Sequence, residues 1–155
     1  MKHKLMEINF NDLHFTNKDL SRGTIVNVTY KNDALEFQTP KLCITDIIKE
    51  NNNEYLILKL LPNEACKKFF LKILELEKLM KVESLFNGDI ISVKVPYTYS
   101  KPMVNVCYCG SLFNYYHLSK GMEIICLLTL NKLWINEYNI KNYNLSVKEI
   151  MLLKK

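Results

Sequence analysis

One stretch of this chain has a different period from everything around it. Within 63–86 the apolar residues Cys66, Phe69, Phe70, Ile73, Leu74, Leu76 and Met80 recur at helical spacing, with Lys67, Lys68, Lys72, Glu75 and Lys78 opposite. On both sides the period is two. A single amphipathic helix between two blocks of strands leaves few architectures open: the strands pair largely antiparallel, and the helix covers part of the sheet they form. The spacing predicts a helix over 63–86, capped by Asn63, favoured by Glu64 at its positive end, and stopped by Asn87-Gly88. Glu77 falls inside the apolar arc, and nothing in the sequence explains it.

The first block reads as strands over 5–61. Met6, Ile8 and Phe10 alternate with polar partners. Residues 24–30 are rich in β-branched side chains and turn at Asn32-Asp33 into 34–38, which Pro40 ends. Cys43–Ile48 is a further short strand, and Tyr55–Leu61 has the near-continuous apolar run of a central one. The second block, 89–153, begins with Ile91, Val93 and Val95 on one face, which Tyr97 and Tyr99 continue as core or rim residues. It goes on through Met103–Tyr108, Met122–Leu130 and Ser146–Leu153, with a polar, tyrosine-bearing connection over 136–144. The expectation is one domain over 1–155, α+β and mainly antiparallel.

Several function classes find no support. No segment reaches the roughly 18 apolar residues of a membrane span, and the basic start, Met1-Lys2-His3-Lys4, runs into polar residues where a signal peptide has its apolar core. No membrane partner is expected. Five cysteines, odd in number and scattered, read as reduced thiols in an intracellular, reducing compartment. His3, His14 and His117 lie in no nucleophile signature, and four glycines cannot supply a phosphate loop. Glu75 and Glu77 point about 200° apart on a helix, so they are no carboxylate pair. Cys107-x-Cys109 with His117 nearby lacks the paired spacing of structural zinc, and packed thiols explain it better. No enzyme, metal or cofactor is expected.

Charge and aromatic residues point elsewhere. The chain has 20 lysines and one arginine, Arg22. An ammonium attracts phosphate as a point charge, whereas reading guanine edges in a duplex favours the bidentate guanidinium. Residues 1–86 hold 13 basic and 12 acidic side chains, but residues 87–155 hold 8 and 4, together with seven of the nine tyrosines and Trp134. Lysines interleaved with flat side chains suit single-stranded nucleic acid, whose backbone follows the charges while its bases stack. The candidate binding residues are Lys94, Tyr108, Tyr115, Tyr116, Lys120, Trp134, Tyr138, Lys141 and Tyr143. Trp134, between Leu133 and Ile135, is open to a core-anchor or a platform reading. The same surface also suits protein partners, as in a viral structural or scaffold protein, because Tyr and Trp are enriched at interfaces.

Leu35-Glu36-Phe37-Gln38-Thr39-Pro40, then Tyr55-Leu56-Ile57-Leu58-Lys59-Leu60 and the helix with Phe69, Phe70 and Leu76, form a layout with a counterpart elsewhere. So does the ending: Lys120-Gly121, a strand reaching Leu133-Trp134-Ile135, and Ser146-Val147-Lys148-Glu149-Ile150. Over roughly residues 24–153 the chain resembles OB-like single-stranded DNA-binding proteins of large nucleocytoplasmic DNA viruses, related to those of African swine fever virus and poxviruses. The resemblance implies an OB-like sheet or barrel with one long helix, and non-catalytic, sequence-tolerant binding of single-stranded DNA (or RNA). It further implies coating of replication intermediates in a viral factory in the host cytoplasm, with further copies or other viral proteins as partners.

Overall fold

The computed structural model describes residues 3–130 and 132–154. Strand β1 (His3–Lys4) leads into 3-10 turns at Leu5–Glu7 and Phe10–Asp12. These turns replace the strand expected from Met6, Ile8 and Phe10: Leu5 and Ile8 point inward while Met6 is left exposed. Next come β2 (Leu13–Leu20), β3 (Gly23–Tyr30), β4 (Asp33–Gln38), β5 (Leu42–Glu50) and β6 (Asn53–Leu60). The β3–β4 turn is Lys31-Asn32 and the β5–β6 turn is Asn51-Asn52, all four with positive φ, a conformation asparagine tolerates.

Helix α1 runs over Glu64–Met80, six residues shorter at its C-terminal end than its sequence period suggests. Asn63 caps it, its side chain accepting from the Cys66 amide at 2.8 Å. Lys81 takes the left-handed conformation and ends it, with the Val82 amide bonding back to the Glu77 carbonyl. Asn87-Gly88 therefore stops no helix. It belongs to the turn between β7 (Phe86–Asn87) and β8 (Ile90–Val95).

The remaining strands are β9 (Tyr97–Thr98), β10 (Lys101–Pro102), β11 (Asn105–Tyr108), β12 (Ser111–Leu112), β13 (Glu123–Leu130), β14 (Lys132–Asn136), β15 (Lys141–Tyr143) and β16 (Ser146–Lys154). The expected polar connection thus contains β15. The face begun by Ile91 continues past Val95 to Tyr97, which packs partly buried against the core, but Tyr99 stands in the β9–β10 turn, 95% exposed.

Five strands close on one another. β5 pairs β6, β6 pairs β8, β8 pairs β16 in parallel, β16 pairs β13, and β13 returns to β5, the other four pairings being antiparallel. This is an OB-like barrel with one helix. Its interior holds Ile44, Leu56, Leu58, Ile91, Val93, Ile124, Leu128, Val147 and Ile150, and α1 adds Phe69, Ile73 and Leu76 to the same core. Thr39 eases the bend where β4 passes into β5. Its backbone N–H donates to the Cys126 carbonyl, and its hydroxyl accepts from the Cys126 amide. A smaller sheet, β2-β3-β14-β15, grows from the side of the barrel.

Candidate nucleic-acid interface

Barrel strands β6 and β8 bury every second side chain, which turns the alternate ones outward. Residues opposite one another on paired strands share a face. The registers Ile48↔Tyr55, Tyr55↔Lys94 and Lys94↔Ser146 therefore set Ile48, Tyr55, Lys94 and Ser146 in one row across the outside of the barrel. On the side sheet, Lys18↔Ile25, Ile25↔Trp134 and Trp134↔Asn142 make a second row, with Thr16, Asn27 and Lys132 in the next. A cleft of about 420 Å³ joins the two, with Lys94 and Ser146 on one side and Lys132, Trp134 and Asn142 on the other.

Gly23 lets the tryptophan lie where it does. A Cβ there would sit 2.7 and 2.8 Å from the indole ring and 2.2 Å from the Ile135 carbonyl oxygen, so only glycine admits this approach. The ring rests half-exposed against β3 and lines the cleft. Of the two readings open from the sequence, the geometry gives Trp134 a surface position.

A second cleft, of about 440 Å³, lies beyond the Tyr55–Lys94 pair at the Asn51-Asn52 turn, and Lys49, Tyr97 and Tyr116 are among its lining. Beneath it Glu54 is buried at the barrel end. Its Oε2 accepts from the Tyr97 hydroxyl at 2.9 Å and from the Tyr115 hydroxyl. Burial, then the bond to this carboxylate, pushes both phenols well above the usual tyrosine range.

The nine residues singled out from the sequence do not gather in one place. Lys94, Trp134 and the largely buried Tyr143 line the first cleft; Tyr116, 62% exposed, lines the second. Tyr115 and Tyr143 are core residues, and burial leaves neither ring a free face for a base. Tyr143 donates its hydroxyl to Glu77, whose Oε2 also accepts the Leu85 amide at 2.8 Å. That explains the acid inside the apolar arc: it ties α1 to β15 and to the segment after the helix. Burial raises the Tyr143 phenol too, with the Glu77 bond second. Lys141 reaches the Met80 carbonyl at 3.5 Å, where the last carbonyls of α1 favour a cation. Tyr108 is half-buried and meets Phe113 edge-on at 6.1 Å. Tyr138 is exposed at the tip between β14 and β15, and Lys120 in the turn before β13.

Three groove residues, Lys18, Lys49 and Tyr55, come from the half whose charges balance. Lys132 had a signal, since it stands two residues before Trp134 on the same strand face; Lys18 had none. Lys148 is held by Glu36 at 2.7 Å, a bond that raises its pKa. All five cysteines are free; Cys66 and Cys126 are buried, and burial pushes the Cys126 thiol up to about 12. Cys107 and Cys109 are exposed, not packed, because Cys107 lies on the outward face of β11, opposite the buried Val106, and Cys109 lies in the turn that follows. Among the described residues no group of three or more His, Cys, Asp or Glu could hold a metal ion, and no helix is long and apolar enough to cross a membrane.

The fold defines the class, an OB-like barrel carrying a basic and aromatic groove. No protein-family model matches the chain, and no curated protein matches it in sequence. Among solved structures it is similar to gp2.5, a single-stranded DNA-binding protein encoded by bacteriophage T7, with a TM-score of 0.52 over 77% of this chain and 91% of that one. Identity is 10%, so the likeness is one of fold.

Proposed function

We propose that this chain binds single-stranded DNA without catalysis and largely without regard to sequence. One observation carries the reading. The Tyr55–Lys94 row and the Trp134 cleft lie where OB barrels take up oligonucleotides: on the face of the second and third barrel strands, between the first-to-second and fourth-to-fifth connections. In this chain those strands are β6 and β8, and those connections are the Asn51-Asn52 turn and the β14–β15 segment. Lys18, Lys94 and Lys132 supply backbone attraction, while Trp134, Tyr55 and Tyr116 supply flat faces. The fold it shares with a phage single-stranded DNA-binding protein supports the same reading. The resemblance to proteins of large DNA viruses extends it to the coating of replication intermediates in a viral factory.

The test is fluorescence anisotropy with labelled oligo-dT. Binding at low salt should weaken with a log–log slope of about −2 for three phosphate contacts. No binding at low salt refutes the reading.

A second reading, a structural or scaffold role through protein contacts, draws on a separate observation. Leu112, Cys107, Met151 and Ile125 stand in register across β12, β11, β16 and β13 as an outward apolar row, with Leu112 85% exposed. Under that reading, substitutions in this row change the molecule's assembly while oligo-dT affinity is absent from the start.

A further inference from the structure

The cleft at the Asn51-Asn52 turn differs in chemistry from the Trp134 cleft. Ile25 and Leu133 help to line the latter, whereas every side chain lining the former is polar. Two of them form a loose ion pair without a hydrogen bond. Lys49 Nζ and Glu54 Oε1 stand 3.9 Å apart, beyond hydrogen-bond reach. Glu54 is 6% exposed, and its other oxygen is engaged by two phenols, so Oε1 is the acceptor left at the cleft. A carboxylate only accepts and an ammonium only donates. The cleft therefore presents one strong acceptor beside one strong donor. A phosphate group would meet the charge of Glu54, which points to a neutral occupant with acceptors and donors side by side.

Guanine has that arrangement on its adjoining Hoogsteen and Watson–Crick edges. Its O6 and N7 suit a lysine ammonium, and its N1–H and amino group suit a carboxylate. Adenine puts an amino donor where guanine has O6 and has no ring N–H to give; cytosine has no ring N–H either, and thymine sets only one acceptor, O4, beside one donor, N3–H, where guanine sets two beside two. Tyr116 supplies the stacking face at the same cleft. Its ring meets that of Tyr115 edge-on at 5.7 Å, and Tyr115 is in turn anchored on Glu54. One buried carboxylate thus both steadies the stacking ring and offers the edge contact.

We infer that this cleft takes one unstacked guanine, giving an otherwise sequence-tolerant groove a base preference at a single position. The inference rests on the single-stranded DNA reading above and adds a specificity to it. The experiment compares a twelve-nucleotide oligo-dT with versions carrying one central guanine, adenine, cytosine or 7-deazaguanine, by anisotropy at constant low salt. The guanine version should bind at least about five-fold tighter than oligo-dT, the adenine and cytosine versions within about two-fold of it, and 7-deazaguanine, lacking one acceptor for Lys49, in between. Lys49→Ala, at an exposed position, should lose the guanine preference, its affinity for the guanine version falling to within about two-fold of its own affinity for oligo-dT. Equal affinity for all the oligonucleotides, or a preference that survives Lys49→Ala, overturns the inference and leaves the general binding intact. Binding to none of them overturns the parent reading as well.

Discussion

Lys94→Ala is the most direct probe of the groove. Lys94 stands between Tyr55 and Ser146 in the outer row and lines the Trp134 cleft, and no ion pair holds it among the described residues. Its removal should leave the fold intact, since the neighbouring Val93 and Val95 carry the packing inside the barrel. The cost in binding follows from counterion release. One lost phosphate contact on a single strand changes the log–log salt slope by about 0.7, which weakens binding about eight-fold at 50 mM salt and about three-fold at 200 mM. The assay is oligo-dT anisotropy across that salt range, with thermal melts to confirm an unchanged fold. Lys120→Ala, in the turn before β13, serves as the control and should leave the slope unaltered. An unchanged slope with affinity within about two-fold for Lys94→Ala would refute the placement of the groove. An equal loss for both variants would mean diffuse attraction to the whole basic surface.

Other expectations follow from the same geometry. Trp134→Ala should weaken oligo-dT binding by about 1–3 kcal/mol, the worth of one stacked base, and indole fluorescence in the parent protein should be quenched on binding; a quench without a loss of affinity would make the ring a bystander. Tyr143→Phe should lower stability by about 1–3 kcal/mol in urea unfolding, because it strips a hydrogen bond from the buried Glu77, yet leave DNA affinity untouched; lost affinity with unchanged stability would return Tyr143 to the binding surface. Tyr115 and Tyr143 are both raised above the usual phenol pKa, so each binds its proton more tightly folded than unfolded. Their contribution is complete below about pH 10 and falls above it by up to ~1.4 kcal/mol per pH unit for each, as urea midpoints between pH 9 and 11.5 should show; midpoints flat over that interval would contradict the burial of both hydroxyls.

Period carried most of the fold into view. Core-facing alternation in β6, β8, β13 and β16 and the helical arc of α1 all reflect burial on one face, and burial is what sequence patterns record. Strand β2 left no such trace, because seven of its eight residues are exposed and no apolar alternation is required of them. The end of α1 was hidden for a local reason: a lysine, not a glycine, takes the left-handed turn at position 81. The site was legible as chemistry more than as place. Composition marked lysine and tyrosine in the second half, but a tyrosine that stacks and one that bonds a buried glutamate look alike in sequence. Telling them apart needs the partner, and Glu54 lies 61 residues before Tyr115. A still longer separation hides the alignment of Lys18 with Trp134 in one row across Ile25, which depends on the β2–β3 and β3–β14 registers.

The closure of the barrel has a consequence in time. Strand β16 is the element that both β8 and β13 await, and its ladder with β11 adds a third dependence. During synthesis, β5 and β6 can pair as soon as they emerge, but the ring stays open and the inner faces of Leu56, Val93 and Ile124 stay wet until residues 146–154 have left the ribosome. Long-range pairing of this kind is slow because the loop must be closed before any contact rewards it. A nascent chain halted before residue 146 should therefore hold its hairpins without a groove, since Ser146 forms part of the wall beside Lys94. For this protein the capacity to hold a strand arrives all at once, with the last strand of the barrel.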